Sequence, residues 1–158
     1  MTEKLKKEIL LSALSGAAVG ILVAFVNPGE NPTIGFLTGT LLAAGGTWLL
    51  QYLLNRFSAS RSIRIATFLA FALRLVIGVI LFLALPPFGY DEPYNNNGYL
   101  YLDAYRRDAD AWELSRSEAP ITAAFQNEFS TDQYGGLLSL SALVYRTLSP
   151  DAHRPLLI

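Results

Sequence analysis

The sequence predicts an all-α polytopic membrane protein with three to four transmembrane helices and an extracytoplasmic loop carrying juxtamembrane amphipathic helices. Three observations predict it. The 158-residue chain is 52% apolar and only 16% charged, against about 25% charged in soluble domains. Its mean hydropathy is +0.33. The apolar residues gather into three long runs rather than spreading along the chain. The net charge of −1 also hides two unlike halves. Residues 1–86 hold seven Lys+Arg and three Asp+Glu, net +4; residues 87–158 hold five and ten, net −5, with seven of the eight tyrosines. There is no cysteine and one histidine. That removes disulfides, Cys-based zinc sites and thiol nucleophiles, and leaves little for a histidine metal cluster or a catalytic triad.

The first run, Ile9–Val26, and the second, Thr33–Leu54, contain no charge. The third, Ile65–Leu85, contains the single charge Arg74. At 1.5 Å per residue these reach about 27–33 Å, the thickness of a hydrocarbon core. None shows the polar face of a long soluble helix. A cleaved signal peptide would also begin with lysines such as Lys4, Lys6 and Lys7. The first run, however, is longer than a usual h-region and no A-x-A site closes it. Residues 1–60 therefore read as an N-terminal transmembrane hairpin. Gly16-x-x-x-Gly20 and Gly35-x-x-x-Gly39 fit close helix approach in lipid as well as they fit the general abundance of glycine in membrane helices. Arg74, in mid-span, faces a partner or a wet cavity, or snorkels to the interface.

Lysine and arginine set orientation. The N-terminus carries three lysines, the loop Asn27–Pro32 none, and residues 55–64 carry Arg56, Arg61 and Arg64. The N-terminus and the second loop are therefore cytoplasmic, and residues 87–133 are extracytoplasmic.

Residues 61–158 form the second predicted part. Pro86-Pro87 ends the transmembrane helix 65–85. The turn formers PFGYDEPYNNNGY follow. A helix is expected from Tyr99 to Ser117, with Tyr101, Tyr105, Ala109 and Trp112 along an aromatic stripe suited to a membrane interface. A short helix or extended piece is expected around Ile121–Phe129, a turn at Asp132–Gly136, and an apolar helix at 134–148. Ser149-Pro150-Asp151 breaks that helix. A further apolar run begins near residue 152 and stops with Ile158, so the chain reads as the N-terminal piece of a larger polytopic protein.

Chemistry concentrates in YLDAYRRDADAWELS. Asp103, Asp108 and Asp110 lie beside Arg106, Arg107, Tyr105 and Trp112. Carboxylates can take a proton from an acceptor, arginines can hold a phosphate in two-point contact, and aromatic rings can stack on sugars. The same residues also read as an ordinary solvated charged face. Asp91-Glu92 is a second acidic candidate or a polar turn before Pro93. His153-Arg154 is a site pair, or His153 is structural, as lone histidines usually are. No P-loop, dinucleotide fingerprint or HExxH occurs, and Asn95, Asn96 and Asn97 are not glycosylation acceptors. No metal site is apparent. Nothing suits nucleic acid, whose phosphates the acidic half would repel except at its arginines.

The order LRLVIGVILFLALP, RRDADAWELS, DQYGGLLSLSALVYRTLS and DAHRPLL resembles the first part of the GT-C superfamily of membrane glycosyltransferases. Within it, the likeness is to the dolichyl- or polyprenyl-phosphate-mannose protein mannosyltransferases. The resemblance covers about residues 66–158. It implies sugar transfer, with inversion, from a polyprenyl-phosphate sugar to an acceptor protein, lipid or glycan on the extracytoplasmic side. The lipid-linked donor is a substrate, no cofactor is implied, and a divalent metal requirement stays open. The resemblance makes Asp108 the acid and Trp112 the aromatic one turn later, puts Arg107 before that acid, and makes Arg154 the arginine that opens the next helix. Arg106 or Arg107 would hold the phosphate, and Tyr105 and Trp112 would shape the sugar pocket. The chain departs from the family where Ala109 replaces a second acid, Trp112 a tyrosine, and Gly135-Gly136 prolines. Asp91, Asp103 and Asp110 therefore rival Asp108. A non-catalytic small membrane protein, whose external loop binds a partner or carbohydrate, is the alternative.

Overall fold

Three long helices run in sequence, α1 (Glu3–Val26), α2 (Pro32–Arg56) and α3 (Arg61–Phe88). They are followed by the single turn α4 (Pro93–Asn96), α5 (Leu102–Arg116) and α6 (Gly136–Leu148). Two short 3₁₀ turns, Ile121–Phe125 and Pro155–Leu157, complete the order. The computed structural model describes residues 3–126 and 135–158, and no strand occurs among them. α1, α2 and α3 are each long and apolar enough to cross a membrane. The contacts divide the chain within α3, between Val76 and Ile77, and each unit is described by itself.

In the first unit α1 and α2 pack as a hairpin. Asn31 caps α2 by accepting the Thr33 amide at 3.0 Å, with Pro32 in the first turn where no donor is missed. The small residues of both helices form the seam. A Cβ on Gly20 would lie 2.1 Å from Thr40 Oγ1 and 2.5 Å from the Phe36 carbonyl. One on Gly16 would lie 2.7 Å from the Thr40 carbonyl. Close approach, one of the two readings of the glycine pattern, is therefore what these glycines permit. A polar line runs beside the seam. Ser15 Oγ meets Thr47 Oγ1 at 2.8 Å, and Gln51 Nε2 donates to Ser12 Oγ at 3.0 Å. Asn55 Nδ2 donates to Glu8 Oε1 at 2.8 Å. Arg64 closes the turn into α3, donating to Asn55 Oδ1 and to the Leu54 and Ala59 carbonyls.

α3 has no buried residue, and Arg74 on it is exposed. The helix does not stop before Pro86 as the sequence suggests; it carries both prolines and ends at Phe88. Proline's fixed φ is helical, so it can occupy a last turn at the loss of its N–H donor. The Gly89 amide then closes the end onto the Leu85 carbonyl at 2.7 Å.

The second unit has its own core of Ala111, Leu114, Ala123, Ala124, Leu138, Ala142 and Tyr145, with Trp112, Ala119 and Ile121 against it. Four alanines let α5, α6 and the first 3₁₀ turn approach closely. Gly135 enters α6 at φ 66°, and a Cβ there would lie 2.5 Å from the Ala124 carbonyl; only glycine fits this left-handed, crowded position. Arg146 holds α6 to the end of α5. Its guanidinium donates to the carbonyls of Leu114, Ser115, Ser117 and Ala119 at 2.6–3.2 Å; the first two lie in the last turn of α5, whose carbonyls lack intrahelical partners, and the other two follow it.

The expected loop 87–133 is thus largely structured where it is described. The expected helix Tyr99–Ser117 is Leu102–Arg116, and the piece near Ile121–Phe129 is the 3₁₀ turn Ile121–Phe125. The buried face of α5 is Asp108, Ala111, Leu114 and Ser115. The aromatic stripe flanks it, with Tyr105 and Trp112 half-buried and Tyr101 exposed. Most of the turn at Asp132–Gly136, the last residues of the piece near Ile121–Phe129 and the first residue of the helix 134–148 lie outside the described residues; the helix itself is Gly136–Leu148. The apolar run at the C-terminus begins as the 3₁₀ turn Pro155–Leu157.

Candidate functional site

Asp108 is the buried centre of the acidic half. Its residue is 3% exposed, and burial of a carboxylate is costly unless donors surround it. Three side chains do. Tyr145 Oη donates to Oδ1 at 2.8 Å. Tyr99 Oη donates to Oδ2. His153 Nε2 meets the same Oδ2 at 2.7 Å.

Each partner is delivered by a different device. Tyr99 comes from the segment after α3. Buried Asn95 organises that segment, accepting the Tyr90 amide through Oδ1 and donating through Nδ2 to the Tyr99 carbonyl. Gly98, at φ 81°, turns the chain against Phe82, where a Cβ would lie 2.7 Å from the ring. Tyr145 stands on α6, directly before the Arg146 clamp. His153 stands on a turn that bonds to itself. Arg154, fully buried, grips Asp151 through both terminal nitrogens at 2.7 Å and reaches Ser149 Oγ at 2.6 Å. Ser149 Oγ in turn donates to the Ala152 carbonyl at 2.9 Å.

Aromatic rings wall the cluster. Trp112 lies nearly parallel to the His153 imidazole, centroids 5.5 Å apart, and edge-on to Tyr145 at 5.4 Å. Arg116 covers Trp112, 5.4 Å from its centroid. Tyr105 meets Tyr99 edge-on at 5.4 Å. Burial pushes the Tyr99 and Tyr145 phenols far above their ordinary range, and the charge of Asp108 and the hydrogen bonds to it push the same way. Both phenols are held as neutral donors, because ionising either would set two anions in contact.

The other predicted residues divide around this centre. Trp112 and Tyr105 belong to it. Arg107 is half-buried, and its charge acts on Tyr99. Arg106 is exposed. Asp103 is exposed in the first turn of α5, where a carboxylate favours the helix dipole. Asp110 is half-buried on α5. Asp91 is exposed and accepts from Asn96 Nδ2 at 3.2 Å. Arg154 is spent on Asp151 and Ser149 rather than facing outward. Tyr99 and Tyr145 are site residues that the sequence reading lacks, and His153 entered it only as half of a pair with Arg154 or as a structural histidine. They lie 9, 37 and 45 positions from Asp108, beyond the reach of helical spacing. The one usable signal was that His153 is the chain's single histidine. Among the described residues no group of three or more His, Cys, Asp or Glu could hold a metal ion.

A carboxylate fixing an imidazole, with neutral phenols on its other sides, is an acid–base arrangement. No family model, curated protein or solved structure matches the chain.

Proposed function

We propose that this chain is part of a membrane glycosyltransferase resembling the GT-C superfamily, moving a sugar from a polyprenyl-phosphate donor to an acceptor on the extracytoplasmic side. One observation carries the reading. Of Asp91, Asp103, Asp108 and Asp110, the acid singled out by the resemblance is the one that is buried and held by three proton-bearing side chains. Sugar transfer needs a group that accepts the acceptor's proton, aromatic surface for the sugar, and cations for the phosphate. Asp108 with His153 supplies the first, Trp112 and Tyr105 the second, Arg106 and Arg107 the third. The three apolar helices suit a donor that is itself a lipid. The second reading, a non-catalytic membrane protein, draws on the same geometry. A carboxylate with all its donors satisfied is also a sound structural knot for a binding surface.

Transfer assays separate the two. The protein, expressed from its complete natural reading frame, is given polyprenyl-phosphate sugars in membranes, and release of the free lipid phosphate is followed. The wild type is expected to release it. Asp108→Asn is expected to lower the rate at least about 100-fold, the usual worth of a positioned acid–base group, while membrane insertion persists. Asp91→Asn and Asp103→Asn stay near wild type. No release by the wild type from any such donor contradicts the enzyme and favours the binding protein.

A further inference from the structure

We infer that His153, not Asp108, is the group that takes the acceptor's proton, and that Asp108 is its positioning residue. This rests on the transferase reading above. Both carboxylate oxygens of Asp108 are occupied, Oδ1 by Tyr145 and Oδ2 by Tyr99 and His153. The Asp108 side chain is 4% exposed, against 32% for His153. A substrate hydroxyl must come within about 2.6–3.2 Å of its base, and at Asp108 it would first have to displace a tyrosine or the histidine.

The imidazole is built for the task. Nε2 faces Asp108, so the ring donates its N–H there and Nδ1 carries the open lone pair. The imidazole makes no further hydrogen bond among the described residues. Trp112 supports one face of the ring and Tyr145 sits tilted against it, centroids 5.3 Å apart. The self-bonded turn Ser149–Arg154 fixes the backbone that carries it. Asp108 meets the imidazole directly and Tyr145 lies beside it; Tyr99 shares Oδ2 of Asp108 with it, and Arg116 lies over the supporting Trp112.

The step balances without another reactant. The acceptor's O–H proton passes to His153 Nδ1. The oxygen's lone pair forms the bond to the anomeric carbon. The bond from that carbon to the phosphate oxygen breaks, and its electron pair leaves on the lipid phosphate. The imidazolium left behind is balanced by the Asp108 carboxylate 2.7 Å away, until it gives its proton to water.

Two measurements test this on the full natural protein in nanodiscs. In the first, ¹⁵N-histidine NMR is recorded on the wild type, with the His153 signals assigned by their loss in His153→Gln. A pyrrole-type Nε2 and a pyridine-type Nδ1, with that preference lost in Asp108→Asn, is the expected result. The opposite tautomer in the wild type overturns the proposal. In the second, His153→Ala should lower lipid-phosphate release at least about 100-fold, and added imidazole should restore part of it. His153→Ala retaining activity within about threefold overturns the role of His153 and leaves the transferase reading standing, with Asp108 as the base. A wild type that releases no lipid phosphate overturns the transferase reading itself, and the proton-accepting role with it.

Discussion

Asp108 decides most of what its neighbours do. Tyr145→Phe removes the one donor on Oδ1 and leaves a buried acceptor unpaired, which costs about 1–3 kcal/mol. Denaturant unfolding followed by near-UV circular dichroism should show a loss of that size, and a loss under about 0.5 kcal/mol would mean that water replaces the hydroxyl. The phenols also set an alkaline limit. A free tyrosine ionises near pH 10, whereas Tyr99 and Tyr145 hold their protons well above that. In the unfolded chain both would ionise first, so the unfolded state binds fewer protons there and stability falls as pH rises above about 10. Below that the contribution is fully present. In a phenolate absorbance titration, two of the eight tyrosines should stay silent until the second unit unfolds. Eight tyrosines titrating together near pH 10 would place Tyr99 and Tyr145 in contact with water. At this scale the sequence was legible in part. Asp108 stood out only through the resemblance that RRDADAW carries, and its three partners did not stand out. Hydrogen bonds that Asp108 accepts from Tyr145 and His153, so far along the chain, leave no periodic trace. The pairing of Arg154 with Asp151, three residues before it, was likewise not singled out.

Packing of elements follows from small residues and from two arginines. Gly20 lies so close to α2 that Gly20→Val must push the helices apart, since even its Cβ would meet Thr40 and Phe36 within 2.5 Å. The chain has no cysteine, so a Ser15→Cys, Thr47→Cys pair reports on the seam, where the two native oxygens are 2.8 Å apart. Disulfide formation should be efficient in that pair and fall several-fold when Gly20→Val is added; undiminished cross-linking would show that the helices do not meet along this face. Arg146→Ala removes donors from four carbonyls at and just after the end of α5. It should cost on the order of 2–3 kcal/mol and loosen α6, seen as faster amide hydrogen exchange across Leu137–Leu148. The existence of the long helices was legible, because uncharged apolar runs long enough to cross a bilayer have few other readings. Their ends were less so. Pro86 and Pro87 look like a stop, yet their φ suits a last turn. The position of α5 was legible to within a few residues, but not its buried face, because the choice between the aromatic stripe and Asp108–Ala111–Leu114–Ser115 depends on what packs against it.

For the whole molecule, three helices long and apolar enough to cross a membrane precede an acidic, aromatic unit, and the proposed lipid-linked donor would be presented to that unit. The proposed function also requires a particular sidedness. We propose, from the lysines before α1 and the arginines between α2 and α3, that the N-terminus and that turn are cytoplasmic; the end of α3 would then lie on the other side. Arg64 shows why such residues carry two kinds of information. It counts as a positive charge in the orientation argument, and in the fold it closes a turn through Asn55 and two carbonyls. The most direct test uses the absence of native cysteine. Glu92→Cys, at an exposed position after α3, and Ser60→Cys, at an exposed position before it, are treated with a membrane-impermeant maleimide in intact cells. The account predicts that Glu92→Cys is labelled at once and Ser60→Cys only after permeabilisation. Labelling in the reverse order would place the Asp108 cluster on the cytoplasmic side and contradict it.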